Sequence, residues 1–442
     1  MNILIITTYY PPDTAVAAVR PYMFAKYLSQ QGHHVTVLRS GEINKRCEDF
    51  FSPLPDVRLI SYLGENCPAE AYQRGQWNGI PTEATSRIGF LPDWLRRPVA
   101  ELFHRFTRER DIARRLQWRL SCHEKQKAAL DAMKDEAFDI VFSTAGEFEN
   151  ILGGQYAAKL FSCPLIQDFR DPMAARMLQS KKEYAYLKSL QTDAVQKADV
   201  CIAVSQGVLQ NICNGLTVKN ATVLYNGYEP TDAAGSDAVP PAGQLSFCYT
   251  GQLYKLQSFI PLLKALQVLA KSGKVSLDCI RIHYAGKDFD SLYQQAEKFG
   301  LGSILENHGH VTRSEAAQIQ ASSDIFTVLS WNTTSAKGIL TGKFYEGIRA
   351  GKPILSIVAG NVPNSELDLI NQKYGYGFCF ESCREKEQFQ SLCDYLEGLY
   401  REKMSTGRIS YTPDPALDTD FRYDTLSKKL ENLCLDAIRQ KT

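Results

Sequence analysis

The stretch Thr341-Gly342-Lys343-Phe344-Tyr345-Glu346-Gly347-Ile348-Arg349-Ala350-Gly351-Lys352-Pro353, followed by the apolar run Ile354-Leu355-Ser356-Ile357-Val358, decides how this chain is read. Thr341 suits a helix cap, Gly342 lets a ligand approach the backbone, and Gly351 with Pro353 ends the helix before a buried strand. A helix start presents unpaired N–H groups and a partial positive charge, so it receives an anion such as a diphosphate. Lys343 adds a positive charge for a phosphate. Glu346, one turn further in, can accept two hydrogen bonds from the adjacent hydroxyls of a ribose. The alternative for Lys343 and Glu346 is a pair of neighbours on one helix face, worth about 0.2–0.5 kcal/mol.

Outward from this stretch, short apolar runs alternate with helical segments. Ile3-Leu4-Ile5-Ile6 leads to a helix near Arg20 to Gln31, and His34-Val35-Thr36-Val37-Leu38 follows Gly32. Later runs include Val57 to Ile60, Asp139 to Phe142, Leu165 to Asp168, Val200 to Val204 and Thr222 to Tyr225. Continuous apolar runs with helices between them predict parallel strands covered on both faces. From Tyr228 to Gly243 the sequence turns to Pro, Asp, Ala and Gly without periodicity, a linker. The pattern restarts with strands at 245–251, 280–285, 325–329 and 354–358 and a helix over 260–272. The expected organisation is an α/β protein of two Rossmann-like, doubly wound domains facing across a cleft. The first spans 1–228, a linker 229–244 and the second 245–415, with a carboxy-terminal helix over 416–442.

Composition narrows the class. A chain of 442 residues with 44% hydrophobic content suits two domains with real cores. A net charge of +1 supplies no global basic field, so a nucleic-acid partner is not expected. The 12 cysteines are scattered, several within apolar runs such as Val200-Cys201-Ile202, and none has zinc-finger or redox spacing. They read as reduced core thiols of a cytosolic protein. Met1-Asn2-Ile3-Leu4-Ile5-Ile6, lacking a basic n-region, is expected to be a first strand rather than a signal peptide. No apolar run approaches the ~20 residues that span a bilayer.

The segment from Gly342 to Leu355 resembles the donor-site helix of family-4 glycosyltransferases of the GT-B fold. The order of further pieces extends the resemblance over most of the chain. Ile3 through Asp13, Ala25-Lys26-Tyr27-Leu28 and Gly32 through Val37 resemble the family's amino-terminal acceptor domain. Asp168-Phe169-Arg170-Asp171-Pro172, Ala198-Asp199-Val200 and Leu224-Tyr225-Asn226-Gly227-Tyr228 are similar to stretches of bacterial members that build surface polysaccharides, and Tyr249-Thr250-Gly251-Gln252-Leu253 opens the donor domain. The resemblance also implies that the helix over 416–442 crosses back to the first domain. The loop Asp13 to Arg20 departs from the pattern, since many members have adjacent glycines there that admit the donor phosphate, and Arg20 is the residue able to supply charge instead. Two single positions depart as well. The family carries a pair of glutamates on the donor helix; Glu346 matches the second, which holds the ribose, while the first falls on Gly338. The arginine that usually follows the donor-domain glycine is here Gln252.

The resemblance implies transfer of a hexosyl or N-acetylhexosaminyl unit from a nucleotide-diphosphate sugar to a hydroxyl of a saccharide or lipid-linked acceptor, with retained configuration. UDP is the preferred nucleotide, GDP the alternative, and no cofactor beyond this co-substrate is implied. Charge builds on the leaving diphosphate in the transition state. Lys255, Lys343 and the helix start at Gly342 are the candidates to stabilise it, with Gly251, Gln252, Thr341 and Glu346 on the donor. The acceptor proton goes to the donor phosphate or to Asp13, Glu147, Asp168 or Asp171. Thr14, Arg20 and Arg170 complete the acceptor side, with Asp168 and Asp171 also able to pair structurally with Arg170. Two other classes stay open, a nucleotide-sugar epimerase of the same fold and a non-catalytic nucleotide-sugar binder.

Asp288-Phe289-Asp290 and Asp418-Thr419-Asp420 have the spacing of a metal-binding triplet but read as surface capping groups, the second in a loop. No metal is expected, and His308 and His310 read as loop polar groups near the cleft. Residues 94–120 mix apolar anchors with arginines, including Arg114, Arg115 and Arg119. Such a helix suits peripheral contact with an anionic membrane surface at the inner face, where each cation adds about 1 kcal/mol; the alternative is an ordinary amphipathic helix packed on its own domain, since Glu101, Glu109 and Asp111 interrupt the basic face.

Overall fold

The computed structural model describes residues 1–13, 16–41, 51–64, 93–174, 180–230 and 238–441. The chain forms two compact units: Met1–Val204, Val208–Leu224 and Ser427–Thr442 make the first, and Ser205–Gly207 with Tyr225–Leu426 the second.

The first unit is built on a sheet of parallel strands, β1 (Asn2–Ile6), β2 (His34–Arg39), β3 (Val57–Ser61), β4 (Ile140–Ala145), β5 (Leu165–Phe169), β6 (Val200–Ala203) and β7 (Ala221–Val223). Their order is β3-β2-β1-β4-β5-β6-β7. Ile3, Leu4, Ile5 and Ile6 are completely buried on both faces of β1, as a central parallel strand requires. Between the strands run helices α1 (Val16–Gln30), α2 (Asp93–Asp131), α3 (Phe148–Leu160), α4 (Lys181–Lys197) and α5 (Gln206–Cys213). The strand order reverses between β1 and β4, which opens a crevice beyond their carboxyl ends.

The second unit repeats the plan with β8 (Leu245–Thr250), β9 (Ile280–Ala285), β10 (Leu305–Gly309), β11 (Ile325–Asn332), β12 (Ile354–Gly360) and β13 (Gly377–Glu381), all parallel in the order β10-β9-β8-β11-β12-β13. Helices α6 (Ile260–Lys271), α7 (Phe289–Glu297), α8 (Arg313–Ala321), α9 (Gly342–Arg349), α10 (Glu366–Tyr374), α11 (Glu385–Thr406) and α12 (Ala416–Asp420) accompany it. The reversal here falls between β8 and β11. The last helix, α13 (Tyr423–Lys441), has its residues up to Leu426 in the second unit and those from Ser427 in the first.

Helix α9 is short and survives by packing. Phe344, Tyr345 and Ile348 are buried on one side, while Lys343 and Glu346 lie on the other. Phe344 meets Tyr376 edge-on at 5.4 Å and Phe421 at 5.6 Å between ring centroids. Such pairs add about 0.5–1.5 kcal/mol beyond area burial. Gly351, at φ +61°, turns the chain out of the helix toward β12.

Several boundaries differ from the sequence expectation. Helix α1 begins at Val16, a turn before Arg20. Tyr225 to Tyr228 belong to the second unit, because the Tyr228 N–H donates to the Phe421 carbonyl, the Tyr423 N–H donates to that of Tyr228, and Tyr225 lies against the Phe421 ring. For the same reason 416–426 stay with the second unit rather than starting a crossing segment. Asp418-Thr419-Asp420 lies in α12, not in a loop. Strand β13 escaped the sequence reading. Residues 231–237 of the expected linker lie outside the described residues. Replacing Phe344 by alanine should destabilise the second unit by about 3–5 kcal/mol, read as a lower urea midpoint with an unchanged m-value.

Candidate functional site

The candidate donor site stands at the reversal point of the second sheet. Chain leaving β8 passes Thr250 to Gly251, whose φ of +149° suits glycine, and a Cβ there would stand 2.7 Å from Cε of Lys343. The Gly251 N–H donates to the Ala285 carbonyl at 2.7 Å and its own carbonyl accepts the Tyr284 hydroxyl at 3.2 Å. This loop is therefore pinned to β9 and lies against the donor-helix lysine. Gln252 and Lys255 follow it, both exposed.

Thr341 occupies the position before α9 with φ −74° and ψ 157°, yet its hydroxyl caps no helix amide and its Oγ1 is buried without a hydrogen-bond partner. The expected cap is thus occupied without a capping bond, and the helix start is left to other acceptors. Gly342 is exposed, and a Cβ there would touch nothing within 4 Å. Lys343 Nζ donates to both carboxylate oxygens of Glu346, at 2.7 and 2.9 Å. Gln320 Nε2, from the end of α8, donates to Glu346 Oε2 at 3.0 Å and to Thr250 Oγ1 at 2.8 Å. Glu346 remains 31% exposed, so its carboxylate faces outward while gripped from two sides. Gln320 went unnoticed in the sequence: the Thr312–Glu315 capping box marks where α8 starts, but nothing marks a residue that only the fold brings to Glu346.

Gly338 explains the missing first glutamate. Its φ of +71° is a glycine conformation, and a Cβ there would collide with Ser205 Oγ and stand 2.8 Å from Cα of Gly207. The Gln206 and Gly207 N–H groups are both accepted by Glu366, at 2.8 and 3.1 Å, and the Tyr225 hydroxyl donates to the same carboxylate at 2.8 Å. Backbone fills the position that the resemblance gives to a glutamate side chain. Asp288 does not cap α7 with its side chain; its carboxylate accepts the Leu253 N–H at 3.0 Å and so shapes the loop after β8.

The first unit gathers polar groups at its own reversal point. Glu147, just before α3, accepts Arg119 at 2.6 Å and the Tyr9 hydroxyl at 3.2 Å. Arg119 also reaches Glu149 at 2.7 Å, which is fully buried and accepts the Thr8 hydroxyl at 3.1 Å. Burial pushes the Glu147 carboxyl up and the Glu149 charge pushes the same way, against the pull of Arg119. Glu147 keeps 24% of its side chain exposed. Arg170 lies 5.8 Å from the Tyr9 ring centroid and donates to the Ala17 carbonyl. That carbonyl is free for it because Pro21, four residues on in α1, has no N–H. Asp171 is exposed, Asp13 is buried, and Thr14 lies outside the described residues.

Two acceptor-side expectations change. Arg20 and Asp168 are 1% and 0% exposed and form a two-pronged pair, Nε to Oδ2 at 2.9 Å and Nη2 to Oδ1 at 2.8 Å. Thr144 donates to Asp168 Oδ2 at 2.9 Å, and Arg20 Nη2 also reaches the Leu224 carbonyl at 2.9 Å. A carboxylate so enclosed anchors α1 to β5; it has no path to an acceptor hydroxyl, and Arg20 has none to a phosphate. Neither does Asp168 orient Arg170. On α2, Arg119 turns inward to the glutamates and Arg115 stands 3.5 Å from Glu183, so neither belongs to a membrane-facing stripe; the side chains of 93–109 lie outside the described residues. His308 is part of β10, where it meets His283 and Glu306, a histidine grouping the sequence did not reveal.

Removing one member of a buried charge pair strands the other, at about 3–5 kcal/mol. Asp168→Ala should therefore destabilise the first unit by that amount, read as a lower urea midpoint with an unchanged m-value; full stability with lost turnover would instead assign Asp168 to the chemistry.

Residues 17–232 match the model of Glycosyltransferase Family 4. No curated protein sequence matches the chain. Among solved structures, the alpha,alpha-trehalose 6-phosphate synthase of Burkholderia multivorans superposes with a TM-score of 0.60 at 10% identity, covering 99% of this chain and 97% of its own. HepE of Anabaena in complex with UDP gives 0.57 at 13%, over 99% and 100%. The lipopolysaccharide outer core galactosyltransferase WaaB gives 0.57 at 14%, over 100% of both chains. At these identities the likeness establishes the fold, which is GT-B. The family match over the amino-terminal half and the fold of the whole together indicate a glycosyltransferase.

Proposed function

We propose that the chain transfers a sugar from a UDP-linked donor to a hydroxyl of a saccharide or lipid-linked acceptor in polysaccharide biosynthesis, with retained configuration and without a metal in the reaction. The observation that carries this reading is the outward-facing Glu346 carboxylate beside an uncapped, open helix start. Glu346 accepts the ribose hydroxyls, and the amides at Gly342 and Lys343 receive the diphosphate. Without ligand, Lys343 rests on Glu346. Such an i,i+3 pair is worth about 0.2–0.5 kcal/mol, and a hydrogen bond to a charged group about 1.5–3 kcal/mol, so a diphosphate outcompetes the carboxylate for the ammonium.

In the transfer, the acceptor oxygen bonds to the anomeric carbon as the carbon–oxygen bond to the diphosphate breaks. The electron pair stays on the diphosphate, where Lys343, the helix amides and Lys255 stabilise it. The acceptor proton passes to a diphosphate oxygen or to Glu147, whose raised basicity and partial exposure suit it better than Asp168 or the buried Asp13. The choice of UDP draws on HepE, solved with UDP, and a saccharide acceptor on WaaB. The same reading keeps the protein in the cytoplasm, with 94–120, apart from the inward-paired Arg115 and Arg119, at the inner membrane face; no described helix is long and apolar enough to cross a membrane.

Incubation with UDP- and GDP-sugars, following nucleotide release with and without a lipid-linked acceptor, tests the reading. Release that depends on acceptor is expected. Interconversion of sugars without release would make the protein an epimerase, and affinity without turnover a binder. Within an active enzyme, Glu346→Gln should raise KM for the donor about ten- to a hundredfold with the fold intact, while Glu147→Gln should act on kcat.

A further inference from the structure

A second cluster of reactive side chains lies on β9 and β10 at the edge of the second sheet. In the parallel pairing of β9 with β10, Glu306 stands opposite His283. His308, the unpaired residue at a slip in this register, turns to the same side. The register slips between Asn307 and Gly309, where the Gly309 N–H turns to the Asn307 side chain at 2.9 Å. Nδ1 of His283 is 3.1 Å from Nε2 of His308 and 3.3 Å from Glu306 Oε2, and Nε2 of His308 is 3.8 Å from Glu306 Oε1. Ligand atoms at 2.0–2.1 Å from a tetrahedral zinc stand about 3.3 Å apart. The two separations from His283 already have about that size, and the 3.8 Å between His308 and Glu306 needs only a small adjustment of one side chain to reach it.

Protons alone serve this arrangement poorly. A neutral imidazole nitrogen is either donor or acceptor. If His308 donates to His283 Nδ1, that nitrogen turns its lone pair toward the Glu306 carboxylate; if His283 donates to Glu306, the two ring nitrogens at 3.1 Å hold no shared proton unless one ring is charged. A cation at the centre satisfies all three groups at once. We propose that His283, Glu306 and His308 bind a divalent transition-metal ion of the zinc class that staples the edge strand β10 to β9. Two imidazoles with one carboxylate select zinc, cobalt or nickel over magnesium or calcium. The side chains of His283, His308 and Glu306 are 14%, 25% and 50% exposed, which gives the ion a route from solvent and leaves a position for water.

The untagged full chain, freed of metal with a chelator and titrated with Co²⁺ and then Zn²⁺, tests this. One saturable equivalent is expected, with a visible cobalt band of tetrahedral intensity that Zn²⁺ displaces, and a rise in melting temperature on zinc addition. Glu306→Gln, at a half-exposed position that should leave far-UV circular dichroism unchanged, should weaken binding at least tenfold, about the loss a supporting partner alone brings. His283→Gln with His308→Gln should abolish the band. Absence of saturable uptake at micromolar metal, or uptake of the same strength in these variants, would overturn the proposal.

Discussion

Three hydrogen bonds on one carboxylate organise the second unit. Lys343 gives two and Gln320 one to Glu346, and both donors rest on the end of β8. Lys343 can lie where it does because Gly251, at the end of β8, has no Cβ. Gln320 is fixed by Thr250, the residue before it. The helix carrying Glu346 is held from behind by the Phe344, Tyr376 and Phe421 rings. An eight-residue helix has little stability of its own, so this aromatic packing determines where the carboxylate points. The result is an anion-receptive helix start beside a pre-oriented acidic group, both at the point where strand order reverses.

The first unit solves a different problem, that of placing charge in a covered parallel sheet. Asp168 sits mid-sheet at zero exposure and is tolerated because Arg20 and Thr144 occupy its oxygens. Arg119 plays the corresponding part for Glu149, and what it has left over goes to Glu147. One guanidinium between two carboxylates leaves the outer one incompletely neutralised. Burial raises the Glu147 carboxyl, the Glu149 charge adds to it, and the shared Arg119 offsets them only in part.

Much of this was legible in the sequence because the relevant signals are local. Unbroken apolar runs located most strands within a residue or two, and Gly351-Lys352-Pro353 gave the end of α9. The candidate donor helix was visible because Gly342, Lys343 and Glu346 fall close together along one short helix. What stayed hidden depends on contacts across long sequence separations. Asp168 and Arg170 are neighbours in sequence, yet Asp168 pairs with Arg20, 148 residues away, while Arg170 serves a carbonyl freed by Pro21. Gln320 and Arg119 look like ordinary helix residues until the fold brings them to Glu346 and Glu147. Thr341 misled in the opposite sense, since the right residue at a helix start makes no cap when its hydroxyl turns inward. The histidines failed as a motif for the same reason, because His283 and His308 meet only through strand pairing.

The most direct test of the account is a crystal structure of the protein with UDP. The ribose hydroxyls should lie within hydrogen-bonding distance of the Glu346 carboxylate, the diphosphate should sit on the amides at Gly342, and Lys343 should have left Glu346 for a phosphate oxygen. A nucleotide bound elsewhere while the Lys343–Glu346 pair stays intact would contradict it.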